Sequence, residues 1–331
     1  KIEIKGKDAL KFMNLIYTNS FTKMKPGSAR YALMLGEDGM VKDDGIICKI
    51  SDEHFIATTT TGGAANVLAC MEEYAQTEWP NLNVYMNSIT EQFATFNISG
   101  PKTRDIMSKV FSEIDFSNDA FPFMTFQFHD FQNTQIRIMR ASFTGEMGYE
   151  IYVPSNHAIK IWEQIHEAGK EFGLIPYGTE TMHLLRAEKG YIIVGQDTDG
   201  SITPIDLGLN WMIGKTKTDF LGKRSLTRSD TVRPDRKQLV GIIPSNKEDA
   251  IQEGQHIILN ESIQTPVPML GHITSSYHSP TMGHTFGLAV IKDGRSLIGT
   301  KAFASTPEQK TIPVEIVNPV FYDEKNERLV S

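Results

Sequence analysis

Arg140–Val153, RASFTGEMGYEIYV, is the stretch on which the reading of the fold turns. Just ahead of it, residues 134–141 (TQIRIMRA) alternate apolar and polar side chains as a half-buried strand does. A tight glycine turn then returns the chain into a second strand. Gly145 and Gly148 bracket that turn, where glycine can take positive φ or let another backbone or a ligand come close. The second strand carries one carboxylate, Glu150, among Tyr149, Ile151, Tyr152 and Val153. Such a carboxylate either sits at a solvated edge or has a partner that offsets its desolvation.

Outward from this hairpin the pattern mixes helices and strands. Residues 8–17 read as a helix with Asp8 suited to its cap, and 28–35 as a strand leading into a GEDG turn. Asp43 and Asp44 follow, directly before an apolar strand. Neighbouring strand side chains point to opposite faces, so one of these acids is expected in solvent and the other inside. A strand at 54–60 enters Thr61-Gly62-Gly63 and a helix over 64–78. Two readings fit those glycines: a phosphate cradle at a helix start, or a plain threonine cap and turn. Strands at 82–88 and 92–98 precede a helix that Pro101 opens and that runs to about Phe111.

Beyond the hairpin, 156–172 is an amphipathic helix with Ile161, Trp162, Ile165 and Ala168 as its apolar stripe and Gly173 as its stop. Residues 178–189 form a further helix carrying Arg186, followed by the loop GQDTDG. The polar run 229–236 (SDTVRPDR) marks a domain boundary. After it, 237–243, 255–259, 270–276, 285–292 and 311–317 are short β-rich segments with no convincing helix, the pattern of a small antiparallel barrel or jelly roll. The expected fold is therefore α+β. Two intertwined α+β modules occupy 1–230, and a C-terminal antiparallel β-barrel domain occupies 231–331.

Composition narrows the chemistry. With 33 Lys+Arg against 40 Asp+Glu, the net charge of −7 argues against nucleic acid as the main partner. No run is long and apolar enough for a membrane span, and no signal-peptide pattern opens the chain. Cys48 and Cys70 lack any metal-ligand spacing and read as small buried hydrophobes of a reducing, cytoplasmic compartment. The abrupt start inside the strand-like KIEIKG suggests a piece of a longer polypeptide. There is no GxSxG and no GxGxxG after a strand, and His272, His278 and His284 have no recognised metal spacing. What remains is Asp44, Glu150 and Arg186, with Tyr31, Phe143, Tyr149 and Trp211. On the residues alone, Glu150 and Arg186 could equally be a structural ion pair.

Several motifs in order carry a resemblance. They are Asp43-Asp44 after GEDG, FTGEMGYEI at 143–151, LRAEKGY at 185–191, Thr203-Pro204 leading to Trp211, DFLGK at 219–223, and GHITSS at 271–276 with Ser279-Pro280. Together they resemble the folate-binding aminomethyltransferases, the family of the glycine cleavage T-protein. Within it, the stretches at 18–39 and 176–200 are similar to the C-terminal folate domain of heterotetrameric sarcosine oxidase α subunits. The resemblance implies a tetrahydrofolate site with Asp44 as the catalytic acid beside the reacting nitrogens, Tyr31 ahead of it, Glu150 on the pterin edge and Arg186 from the following helix. It further implies Phe143 in place of a tyrosine, Thr60 in place of a common asparagine, and Trp211 as a wall. Metal ligands are not implied.

The implied reaction captures the one-carbon unit of sarcosine oxidation, giving 5,10-methylenetetrahydrofolate and glycine. Flavin and NAD would lie only on other segments or subunits, with sarcosine oxidase β, γ and δ subunits as partners. The alternative is a free-standing aminomethyltransferase or folate-dependent demethylase. A third branch, a folate-binding iron–sulfur maintenance factor, is marked by a Lys-Gly-Cys run, and here Lys189-Gly190 is followed by Tyr191.

Overall fold

Three antiparallel sheets build the chain, and the computed structural model describes residues 1–261, 266–308 and 310–331. The first module holds β1 (Ile2–Lys5), α1 (Ala9–Ile16), β2 (Ala29–Leu35), β3 (Val41–Ser51), β4 (His54–Ala57), α2 (Ala64–Thr77) and β5 (Tyr85–Ser88). Its strands lie in the order β2-β3-β4-β1-β5. The second holds β6 (Phe93–Ser99), α3 (Thr103–Val110), β7 (Thr125–Phe131), β8 (Thr134–Arg140), β9 (Gly148–Pro154) and α4 (Ala158–Gly169), in the order β6-β9-β8-β7. After α5 (Thr179–Glu188) and a long loop come β10 (Lys237–Pro244), β11 (His256–Ile258), β12 (Gly271–Ser279), β13 (His284–Lys292), β14 (Lys301–Ser305) and β15 (Thr311–Val317). These six close into a barrel, and a short α6 (Glu327–Val330) follows. Among the described residues no helix is long and apolar enough to cross a membrane.

Apolar faces decide the layering. Phe12, Ile16 and Met71 of α1 and α2 pack with Ile47 on one face of the first sheet. Ile106 of α3 and Ile161 and Ile165 of α4 pack with Tyr149, Ile151 and Val153 on the outer face of the second. The remaining faces of the two sheets meet through Cys48, Ile56, Phe126, Met139 and Tyr152. Backbone bonds stitch the layers as well: Ala29 N–H donates to the Met124 carbonyl at 2.8 Å, and Phe126 N–H to Gly27 at 2.8 Å. Each fully buried large aliphatic or aromatic side chain contributes roughly 1.5–3 kcal/mol relative to exposure.

Several expectations change. The hairpin connection is a seven-residue loop, 141–147, rather than a tight turn. Only Gly145 uses positive φ, at 80°. Gly148 is needed because a Cβ there would lie 2.9 Å from the Ala141 carbonyl oxygen. Trp162 is 44% exposed and lies outside the buried stripe of α4, where Gly169 is buried instead. Asp8 does not cap α1; its carboxylate accepts the Asn83 N–H at 2.8 Å. His284, in the β-rich tail, is buried, with its Nδ1 2.9 Å from the Thr285 carbonyl. The strand 301–305 (KAFAS) was not foreseen. Its inward residues are Ala302 and Ala304, and alanine carries little strand propensity.

Candidate functional site

Glu150 projects from β9 into the space between the two sheets. Along that strand Tyr149, Ile151 and Val153 pack outward against α3 and α4, so Glu150 and Tyr152 face inward. Met139 is the register partner of Glu150, and Arg137 that of Tyr152. The Tyr152 hydroxyl donates to Glu150 Oε2, and the other oxygen has no protein hydrogen-bond partner among the described residues. Burial raises the pKa of Glu150 above the ordinary carboxylate value, opposed by the Tyr152 hydroxyl and by the charges of Arg137 and Lys1.

Asp44 reaches the same space from the facing sheet. Asp44, Ile46 and Cys48 alternate onto one face of β3, and Cys48 Sγ lies 3.7 Å from Met139 Sδ across the layer. The Tyr31 hydroxyl donates to Asp44 Oδ2 at 2.6 Å, and Thr60 Oγ1 lies 3.3 Å from Oδ1. Burial pushes Asp44 up to about 6, and the adjacent Asp43 carboxylate adds to the shift against the pull of both hydroxyls.

The expected split of Asp43 and Asp44 between solvent and interior does not occur. Asp43 is 4% exposed, while Asp44 is half-buried and faces the interlayer space. Burial of Asp43 is tolerated because its Oδ1 accepts the Asp44 N–H at 2.7 Å, the Thr60 N–H at 3.1 Å and the Thr60 hydroxyl at 2.5 Å. Its Oδ2 is buried without a partner, and a Cβ at Gly63 would come within 2.6 Å of it. Thr61-Gly62-Gly63 forms a plain 3-10 turn leading into α2, as one of the two readings had it, but without a threonine side-chain cap. Thr60 precedes the turn without capping it by side chain, and its hydroxyl is spent on the acids.

Arg186 stands apart from Glu150. Its guanidinium pairs with Asp197 at 2.5 Å, both side chains being fully buried. The remaining terminal N–H groups go to the Tyr191 carbonyl at 2.9 Å, Ser275 Oγ at 2.8 Å and the Tyr277 hydroxyl at 3.4 Å. The Glu150–Arg186 ion pair is therefore not formed. Asp197, in the GQDTDG loop, was missed by sequence reasoning, although an arginine on an apolar helix face signals that an acid must be found for it. Phe143 stacks on Tyr191 with ring centroids 6.4 Å apart and planes 20° from parallel. Trp211 lies in a 3-10 turn, 66% exposed. The structure thus brings together Tyr31, Asp44 and Thr60, sets Glu150 on the opposing sheet, and links Phe143 and Arg186 through Tyr191. Among the described residues no group of three or more His, Cys, Asp or Glu is arranged for a metal ion.

Comparison with known proteins follows the same division. The GCVT N-terminal domain family matches residues 1–217, and the glycine cleavage T-protein C-terminal barrel domain matches 237–323. Sarcosine oxidase subunit alpha of Corynebacterium sp. (strain P-1) is 49% identical over 99% of this chain and 34% of that subunit. The subunit from Rhizobium meliloti (strain 1021) is 41% identical over 99% and 33%. The chain thus spans about a third of the length of these α subunits. An aminomethyltransferase from Caldanaerobacter subterraneus subsp. tengcongensis is 31% identical over 97% of this chain and 82% of its own. The crystal structure of glycine cleavage system aminomethyltransferase T from Bartonella henselae shares the fold, with a TM-score of 0.83 at 21% identity over 98% of this chain and 84% of that one.

Proposed function

The chain belongs to the glycine cleavage T-protein family, and from that premise we propose that it performs tetrahydrofolate-dependent one-carbon transfer. In this reading it captures the unit released by sarcosine oxidation, giving 5,10-methylenetetrahydrofolate and glycine. The observation that carries the reading is a pair of acids on facing sheets, Asp44 and Glu150, both held above the ordinary carboxylate range. Pairs of titratable groups with displaced acidity are a mark of binding and catalytic sites.

The residues fit a folate. Tetrahydrofolate, when bound, supplies the nucleophilic nitrogens that accept the one-carbon unit. Glu150 presents one oxygen held by Tyr152 and one without a protein partner, a geometry that accepts the parallel N–H donors along a pterin edge. Asp44, fixed by Tyr31, accepts a proton or hydrogen bond where a nitrogen gains positive charge, and it does so best above pH 6. The Phe143–Tyr191 stack offers a flat apolar wall, and Trp211 an exposed ring at a rim. Thr60 holds the two acids in place, and Arg186 acts through the elements it joins rather than by touching the ligand. Residues 1–230 enclose this site and 231–331 close it. In this reading flavin and NAD lie on other segments or subunits, with β, γ and δ subunits as partners and a cytoplasmic setting; the likeness to sarcosine oxidase α subunits supports a multisubunit enzyme.

A calorimetric titration with tetrahydrofolate or folinic acid tests the proposal. The unaltered chain should saturate, and Glu150→Gln should bind at least ~10-fold more weakly, the scale of one lost charge-assisted hydrogen bond. No saturable heat, or a Glu150→Gln variant indistinguishable from its parent, overturns it. The second reading is a free-standing aminomethyltransferase, favoured by the 82% coverage of a relative of that name. Turnover with an aminomethyl-lipoyl carrier but not with a sarcosine-oxidising flavin subunit would select it.

A further inference from the structure

Between Ile56 of the first sheet and Arg137 and Tyr152 of the second lies a cavity of about 400 Å³ that includes neither Asp44 nor Glu150 in its walls. Ile56, Phe93 and Phe128 form apolar walls, and Arg137 and Tyr152 lie along one side. Arg137 is 5% exposed, yet it makes no hydrogen bond or ion pair with protein among the described residues, and its Nε is buried without a partner. Its guanidinium carbon rests 4.0 Å from the centroid of the Tyr152 ring. That stacking offsets only part of the cost of burying an unpaired cation. His157, also at the cavity, is already bonded to Thr134 Oγ1 at 3.0 Å. The Lys1 ammonium, donating to the Phe93 carbonyl at 2.9 Å, adds a second positive charge nearby.

The Glu150 charge reaches Arg137, yet no carboxylate oxygen hydrogen-bonds its guanidinium among the described residues, which leaves the fork free for an anion entering the cavity. The planar fork matches the two oxygens of a carboxylate, and although Thr134, Gln135 and Asn156 also line the cavity, the apolar walls Ile56, Phe93 and Phe128 favour an anion with an apolar body over a free phosphate. We propose that this cavity is a second binding site, taking a small carboxylate with a flat apolar body. The carboxylate pairs with Arg137, and the body lies against Ile56, Phe93 and Phe128. The site goes beyond the one-carbon chemistry proposed above; it shares Tyr152 with the Glu150 side of that site, but its benzoate test does not depend on folate binding.

Benzoate, benzyl alcohol and inorganic phosphate, titrated calorimetrically into the full chain at low ionic strength, separate the elements of this proposal. Benzoate should bind saturably at one site. Benzyl alcohol, lacking the charge, and phosphate, lacking the body, should each bind at least ~10-fold more weakly. Arg137→Gln should weaken benzoate by ~10-fold or more, while Asp44→Asn leaves the benzoate titration unmoved. No saturable benzoate binding, phosphate binding as tight as benzoate, or an unchanged Arg137→Gln titration overturns the assignment. If Arg137→Gln fails to fold, Phe128→Ala at a 42% exposed wall position decides: several-fold weaker benzoate binding supports the site, and unchanged binding rejects it.

Discussion

Asp44 is held near pH 6 instead of its ordinary 3.8, chiefly because its charge is withdrawn from water beside the Asp43 carboxylate. Its pKa is raised on folding, so the folded chain binds that proton more tightly than the unfolded chain does. Below about pH 4 the acid is protonated in both states and costs nothing. As pH rises from about 4 through 6 stability is lost, by up to ~2–3 kcal/mol, and the loss is constant above that window. Asp44→Asn should therefore unfold at higher denaturant concentration than its parent at pH 8 and at the same concentration at pH 4. Equal midpoints at pH 8 would contradict a costly burial. One-carbon transfer should behave inversely, rising through pH 6 as Asp44 ionises and vanishing in Asp44→Asn. A residue that destabilises the fold while serving a reaction is what a stability–activity trade-off predicts.

At the scale of elements, α5 is the joint between the two modules and the barrel. Its last turn is buried: Arg186 reaches Asp197, Ser275 and Tyr277, and the Glu188 carboxylate accepts the Ser279 hydroxyl at 2.5 Å. Asp197 in turn accepts from Thr274 at 2.5 Å and Ser275 at 2.7 Å, so the ion pair is hydrogen-bonded on both sides. Removing one partner leaves a buried uncompensated charge, and Arg186→Met should cost ~3–5 kcal/mol in urea unfolding. Combining it with Asp197→Leu should restore most of that loss, because no charge is then stranded. A double variant as unstable as the sum of the singles would show that shape, not charge, governs the joint.

For the molecule as a whole, one apolar cluster runs through Leu33 and Leu35 of β2, Ala187 of α5, Leu239 of β10, and Phe286 and Leu288 of β13. The Phe321 N–H donates to the Glu188 carbonyl at 2.9 Å, and Leu239 N–H to that of Asp206 at 2.9 Å. With core and backbone bonds shared across this junction, barrel and modules should unfold in a single calorimetric transition whose van't Hoff and calorimetric enthalpies agree. Two resolved transitions would mean that the junction contributes little.

Local periodicity was enough to place most helices and strands, the β-rich tail and the hairpin at 134–153, because alternation and glycine turns are written in neighbouring residues. The motifs around Asp44 and Glu150 were equally legible, since a carboxylate inside an apolar strand is conspicuous wherever it lies. Partners were not. That Asp197 and not Glu150 neutralises Arg186, that Thr60 spans both acids, that Asp43 is buried, and that Arg137 is left without a partner beside Tyr152 all depend on residues far apart in the chain. Such pairings are set by how the sheets and the barrel pack, and only the tertiary structure brings those side chains within reach of one another.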